Sequence, residues 1–161
     1  MKAGEMFKEY RKMKQEILVL EFQLRNFEGV SDTDVIESMN YARPQGDRVQ
    51  TGETADKTGK TAIHYRRVKD RMDDDWYDSL FERYEYLNEE VTFFEYAVTQ
   101  LRGMMPEFVR DLIMERMAWE ELRIKYHVSH SMIGKYRKTA EKELNEMYEF
   151  RDKLEKTYFL S

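Results

Sequence analysis

A short stretch near the C-terminus combines small, polar and basic side chains at positions that a helix would place on one outward face. Between Val128 and Ala140 the chain carries lysine and arginine and no acidic residue. Such a surface suits the major groove of DNA, where polar side chains read base edges and cations contact phosphates. The candidate DNA-binding residues are Ser129, His130, Ser131, Gly134, Lys135, Arg137 and Lys138.

No comparable set of residues for catalysis or metal binding can be picked from the sequence. His127 and His130 have a spacing that could bind a metal, but no third ligand lies nearby in the chain. The acids Asp73–Asp75 are consecutive, so a helix directs them to different sides. The chain has no cysteine, and its glycines match no phosphate-binding loop. We therefore expect no enzyme activity, no catalytic residue, no metal and no cofactor.

The apolar residues around the candidate DNA-binding stretch have the spacing of two helices that cross at a tight turn. The residues expected to face inward are Leu122, Tyr126, Val128, Ile133 and Tyr136. Ser129 stands where a hydroxyl can cap the second helix. Gly134 would lie within that helix at a cost of about 1 kcal/mol relative to alanine, and close approach of DNA would explain it. This pattern predicts a helix-turn-helix.

Two longer segments carry apolar residues at alternating steps of three and four, which is typical of helices that pack along a heptad stripe. The first stripe is Met6, Tyr10, Met13, Ile17, Leu20, Leu24 and Phe27. The second is Tyr77, Leu80, Tyr84, Leu87, Val91, Phe94, Val98 and Leu101. We predict that the two helices pack together, as a helical hairpin or as a coiled coil across a dimer. The expected fold is all-α, with these long heptad helices followed by a C-terminal helix-turn-helix.

The stretch between the heptad helices is polar and contains several glycines, so residues 29–71 are predicted to form a long loop. Ser31 could cap a short helix inside it, and Asp73–Asp75 would begin the second long helix. The basic end of the loop offers auxiliary phosphate contacts, although a solvated linker is the favoured alternative: Lys57, Lys60, Arg66, Arg67 and Lys69. The predicted domains are 1–101, a helical hairpin with loop 29–71, and 102–161, a helix-turn-helix with an extended C-terminal helix.

Apolar residues continue beyond the helix-turn-helix at near-heptad spacing: Ile133, Tyr136, Ala140, Leu144, Met147, Leu154 and Tyr158. An exposed stripe of this kind usually finds a partner. A homodimer would cover it and would bring two recognition helices to successive major grooves. Folding of this tail onto the N-terminal hairpin is the alternative.

The bulk composition is that of a helical protein of the cytoplasm. Charged residues make up 37% of the 161 residues, above the roughly 25% of average globular domains. No apolar run has the length of a membrane span or the form of a secretory signal, so we expect no membrane partner. The formal net charge of −5 argues weakly against DNA binding. Phosphate contact depends on local charge, however, and the acids lie apart from the basic stretches.

The C-terminal motif resembles the helix-turn-helix in region four of the sigma-seventy family. The matching residues are Glu121-Leu122, Tyr126-His127-Val128-Ser129, Ile133 and Ala140. Arg123 stands where the family has a small residue, and His127 stands where it has a turn glycine. The wider layout, with Arg48-Val49-Gln50-Thr51 between the heptad helices, is similar to the phage-encoded ArpU-like and RinA-like regulators of late transcription.

This resemblance implies a sequence-specific, double-stranded DNA-binding activator of phage late genes. Such a protein would act with host RNA polymerase in the cytoplasm of a bacterial host. A DNA-packaging component such as a small terminase subunit is an alternative, since it also joins a helix-turn-helix to a coiled coil. A helical inhibitor of a host factor, which binds no DNA, is the other alternative.

Overall fold

The computed structural model describes residues 1–41 and 57–159, and this part of the chain is helical with no strand. The long helices are α1 (Ala3–Arg25), α3 (Lys57–Thr99) and α6 (His130–Tyr158). The shorter ones are α2 (Asp32–Tyr41), α4 (Met105–Val109) and α5 (Trp119–Tyr126), and a π-helical turn (Arg110–Met114) follows α4 directly. The prediction of an all-α fold with long helices is confirmed.

The chain divides into two compact units, and the division falls inside both α1 and α3. The first unit comprises Met1–Val19 and Glu85–Ser161, and the second comprises Leu20–Tyr84. We expected a boundary between residues 101 and 102, but the start of α1 and the end of α3 belong with the C-terminal helices. The physical reason is a long-range contact: the backbone N–H of Ala3 donates to the side-chain oxygen of Asn145 at 3.0 Å.

The heptad stripes form the core of the first unit. Phe94 is fully buried, and its ring lies 6.1 Å from that of Phe7 and 5.4 Å from that of Tyr10. The hydroxyl of Tyr10 donates to Glu95 at 2.6 Å beside this aromatic cluster. Stripe residues buried in this unit are Met6, Tyr10, Met13, Ile17, Leu87, Val91, Phe94, Val98 and Leu101. The prediction that the heptad helices pack together is therefore confirmed here.

α6 packs onto α1 and α3 as far as Arg151, whereas its end is exposed. Tyr148 is buried with its ring 4.9 Å from that of Phe93. The guanidinium of Arg151 covers the Phe93 ring at 4.4 Å and pairs with Glu90 at 2.9 Å. Ala140 and Leu144 are fully buried, but Leu154 is 56% exposed and Tyr158 is 72% exposed. The alternative in which the tail folds back thus holds for the first half of the stripe alone.

The second unit is more helical than its polar sequence predicts. The short helix expected after Ser31 is α2, but the loop prediction is wrong over residues 57–71, which belong to α3. The acids Asp73–Asp75 lie inside α3 and do not begin it. The physical reason is tertiary: Val68 and Val35 are buried, and the Tyr65 hydroxyl donates to Asp32 of α2. The polar residues around these segments did not predict that α2 and the start of α3 would contact each other.

The link between α1 and α2 is fixed by one carboxylate. Gly29 has a φ of +89°, a backbone conformation that favours glycine, and the next N–H, that of Val30, donates to Asp73 at 2.6 Å. Ser31 caps α2 as expected, since its Oγ accepts from the N–H of Asp34 at 3.3 Å. Phe27, the last residue of the first stripe, lies against the rings of Trp76 and Tyr77.

None of the described helices combines the length and the apolar character that a membrane span needs.

Candidate nucleic-acid interface

A buried carboxylate holds the π-helical turn against α5. Asp111 accepts hydrogen bonds from the Lys125 ammonium and from the Tyr126 hydroxyl, each at 2.6 Å. Burial by itself would raise the pKa of the Asp111 carboxyl, but these hydrogen bonds and the nearby positive charges outweigh it and lower that pKa below its ordinary value. Burial and the Asp111 acceptor raise the pKa of Tyr126. Asp111 therefore remains ionised and fixes the start of the candidate motif.

The two helices of the candidate motif meet at a turn formed by residues 127–129. His127 has φ 53° and ψ 47°, the left-handed conformation that glycine adopts most easily. The N–H of Val128 donates to the carbonyl of Arg123 at 3.2 Å and closes the end of α5. The Oγ of Ser129 accepts from the N–H of Met132 at 3.4 Å and caps α6. The expected cap is confirmed, and His127 occupies a glycine-like position.

The inward side chains hold α5 and α6 in one arrangement. Leu122 and Ile133 are fully buried, whereas Tyr126, Val128 and Tyr136 are half-buried. The ring of Phe108, from α4, lies 5.5 Å from that of Tyr126 and 5.6 Å from that of Tyr136. Phe108 is itself fully buried. Phe108 therefore joins α4 to both helices of the candidate motif.

The candidate DNA-binding residues lie on α6 and at its cap, with two degrees of exposure. The exposed ones are Ser129, His130, Ser131, Lys135 and Lys138, and the half-buried ones are Gly134 and Arg137. Arg137 turns towards α1, where its guanidinium lies 5.9 Å from the ring of Phe7. A cleft of 510 Å³ beside α6 is lined by Gly134, Arg137 and Lys138 together with Trp119 of α5 and Lys8 of α1. The exposed set thus forms a polar and basic face.

Glu120 is a neighbour of this face that the sequence analysis missed. Its carboxylate lies 3.1 Å from His130 Nε2 and 2.7 Å from the guanidinium of Arg123. The indole of Trp119 stacks over the His130 ring at 6.4 Å with an interplanar angle of 24°. His130 is therefore oriented from both sides, and a base contact by its ring would use the edge that Glu120 leaves accessible. Glu120 and His130 are ten residues apart and lie on different helices, so no helical spacing in the sequence predicts their contact.

The auxiliary basic residues lie in the second unit, along the first turns of α3. Arg66 and Arg67 are exposed. Lys69 is half-buried, and its ammonium lies 3.9 Å from the carboxylate of Asp73. The side chains of Lys57 and Lys60 fall outside the described ones, as does the segment 48–51 that entered the wider resemblance. Lys69 therefore has a carboxylate partner within its own helix.

Within residues 1–41 and 57–159, no group of three or more His, Asp or Glu side chains is arranged to bind a metal ion. Comparison of the chain with protein-family models, with curated proteins and with solved structures gave no match.

Proposed function

We propose that this protein is a sequence-specific double-stranded DNA-binding regulator whose helix-turn-helix is formed by α5 and α6. The observation that carries the proposal is the start of α6, where Ser129 caps the helix and Lys135 and Lys138 are exposed on it. The buried pair Leu122 and Ile133 fixes that helix against α5, so the exposed face is presented rigidly. A helix of this kind enters the major groove with its first turns.

The proposal extends to activation of phage late genes together with host RNA polymerase. Its support is the resemblance of the motif at residues 121–140 to region four of the sigma-seventy family, together with the likeness of the wider layout to phage-encoded regulators of late transcription. His127 departs from the family at the turn, but its left-handed backbone is the conformation for which glycine is suited. His127 therefore differs from the family in residue type but has the backbone conformation that the turn needs.

Substitution of the exposed lysines tests DNA binding. Lys135→Ala and Lys138→Ala should each weaken binding of a DNA fragment selected from the source genome, without lowering the melting temperature. Each should also reduce the slope of log affinity against log salt by about 1, because one phosphate contact is lost. Lys14→Ala is the matched control, since Lys14 is an exposed lysine of α1 whose ammonium pairs with Glu95. An unchanged salt slope in both α6 variants would place the DNA surface elsewhere.

A second copy of the chain is the proposed partner for the exposed end of α6. Phe150, Leu154 and Tyr158 lie on successive turns and are 68%, 56% and 72% exposed. Residues 152–156 carry Asp, Lys, Glu and Lys around Leu154, so an antiparallel second copy would bring opposite charges together. Light scattering of the full chain checks this. A dimer supports the regulator, a larger ring favours the DNA-packaging alternative, and a monomer at all concentrations contradicts self-association.

A further inference from the structure

A second cleft in the first unit has an entirely basic set of charged lining residues. It lies where α1 passes the end of the π-helical turn, and its volume is 310 Å³. Phe7 and Ile113 supply part of its apolar wall. The charged residues that line it are Lys8, Arg11, Lys12 and Arg116. No carboxylate is part of this lining, so the cleft concentrates positive potential.

Three of the four cations in this cleft lack a carboxylate partner. Lys8, Arg11 and Arg116 form no ion pair with any residue that the structure describes. Lys12 approaches Glu9 at 3.8 Å, and both of those side chains are largely exposed. Lys14, by contrast, shares Glu95 with Tyr10 in the packed part of α1. The charges of Lys8, Arg11 and Arg116 are therefore available to an anion.

The backbone at Arg116 brings a large cation to this position against local preference. Arg116 has a φ of +51°, and the following N–H, that of Met117, donates to the carbonyl of Asp111 at 2.9 Å. Glycine suits such a helix end best, and the chain does use glycine at Gly103, where φ is +60°. A non-glycine residue in this conformation usually costs about 1 kcal/mol. Strained positions of this kind cluster at functional sites.

The basic cleft continues into the candidate DNA-binding face. Lys8 lines both this cleft and the 510 Å³ cleft beside α6, which Gly134 and Lys138 also line. A path of cations therefore leads from the exposed face of α6 across α1 to Arg116. The 510 Å³ cleft also contains the carboxylates of Glu5 and Glu141, so the strongest attraction for an anion lies in the 310 Å³ cleft, at Arg11 and Arg116.

We propose that the cleft formed by Lys8, Arg11, Lys12 and Arg116 binds phosphates of the DNA backbone that flank the bases contacted by α6. This inference rests on the proposed function for its ligand, and it places the auxiliary phosphate contacts on α1 and at the end of the π-helical turn. The basic stretch at the start of α3 is not needed for it. Phosphate contacts of this type fix the register of a protein on the duplex and carry no sequence information.

The test measures binding of the full chain to a selected DNA duplex over a range of salt concentrations. Arg11→Gln removes one cation, and Arg116→Gly removes another while it places glycine at a positive φ. Each change should lower affinity by about 3–10-fold and reduce the salt slope by about 0.9, with the preferred DNA sequence unchanged. Arg116→Gly should melt at the same or a higher temperature than the wild type. Lys14→Gln, the matched control on α1, should change neither affinity nor slope.

The outcomes separate this inference from the proposed function. If Lys135→Ala and Lys138→Ala weaken binding while Arg11→Gln and Arg116→Gly do not, the cleft proposal is overturned and the regulator stands. If the wild type binds no duplex, inorganic polyphosphate provides the second arm, because it offers phosphates without bases. Polyphosphate binding that depends on Arg11 and Arg116 but not on Lys14 supports a phosphate site and refutes DNA as its source. Polyphosphate binding that is unchanged in all of these variants would show that the cleft is not a phosphate site.

Discussion

Gly134→Ala separates the stability of α6 from its proposed contact with DNA. Gly134 lies inside α6, and a Cβ added there would meet no atom within 4 Å. Alanine should therefore stabilise the helix by about 0.5–1 kcal/mol, since glycine loses more backbone freedom on folding. For a chain of this size, that gain corresponds to a rise of about 1–4 °C in melting temperature.

The same methyl group should weaken DNA binding. Gly134 lines the 510 Å³ cleft together with Lys138, on the side of α6 that the proposal places against DNA. If the duplex approaches the backbone there, the added methyl group should lower affinity by about tenfold, which is about 1.4 kcal/mol. Loss of a function alongside a gain in stability is hard to attribute to misfolding.

Gly4→Ala provides the contrasting glycine. A Cβ at Gly4 would lie 2.6 Å from Oε1 of Glu141, so the end of that flexible side chain would have to move. The Glu141 side chain should move, and the gain in stability should be smaller than that of Gly134→Ala, where a Cβ meets no atom within 4 Å. Thermal melts and fluorescence anisotropy on both variants decide the matter. If Gly134→Ala is more stable and binds DNA as tightly as the wild type, the duplex does not approach the backbone at Gly134. If Gly134→Ala is less stable than the wild type, the space around Gly134 cannot hold a methyl group.

Other variants probe the supporting structure. Asp111→Asn should destabilise the protein by about 1–3 kcal/mol near neutral pH. Because the pKa of Asp111 is lowered in the folded protein, the ionised carboxylate contributes fully to the free energy of unfolding above about pH 4. That contribution is lost as the pH falls through the lowered pKa. The melting temperature of Asp111→Asn should therefore depend less on pH in acid than that of the wild type. Tyr148→Phe should leave the stability unchanged or raise it, because the buried hydroxyl of Tyr148 has no hydrogen-bond partner. Tyr10→Phe should lower the free energy of unfolding by about 0.5–1.5 kcal/mol, because it removes the hydrogen bond to Glu95. Equal melting temperatures of the two variants would contradict this contrast. Leu87→Ala should cost about 2–5 kcal/mol in urea unfolding, since Leu87 is 1% exposed, and an unchanged midpoint would show that the stripe is not part of the core.

The sequence by itself determined the features that depend on neighbours three or four residues apart. The heptad stripes predicted helices and correctly named core residues such as Leu87 and Phe94. The hydroxyl of Ser129 predicted the start of α6, and the positions of Leu122 and Ile133 predicted which faces of α5 and α6 are buried. These features are local, because a cap or a helical face is set by side chains within one or two turns.

The tertiary structure alone decided the features that join distant segments. The role of Asp111 depends on Lys125 and Tyr126, which the fold brings to its carboxylate from α5. The basic cleft depends likewise on α1 passing Arg116, more than a hundred residues later in the chain than Lys8. Residues far apart in sequence meet through packing of whole helices, and a periodic pattern records which face is buried but not which partner covers it.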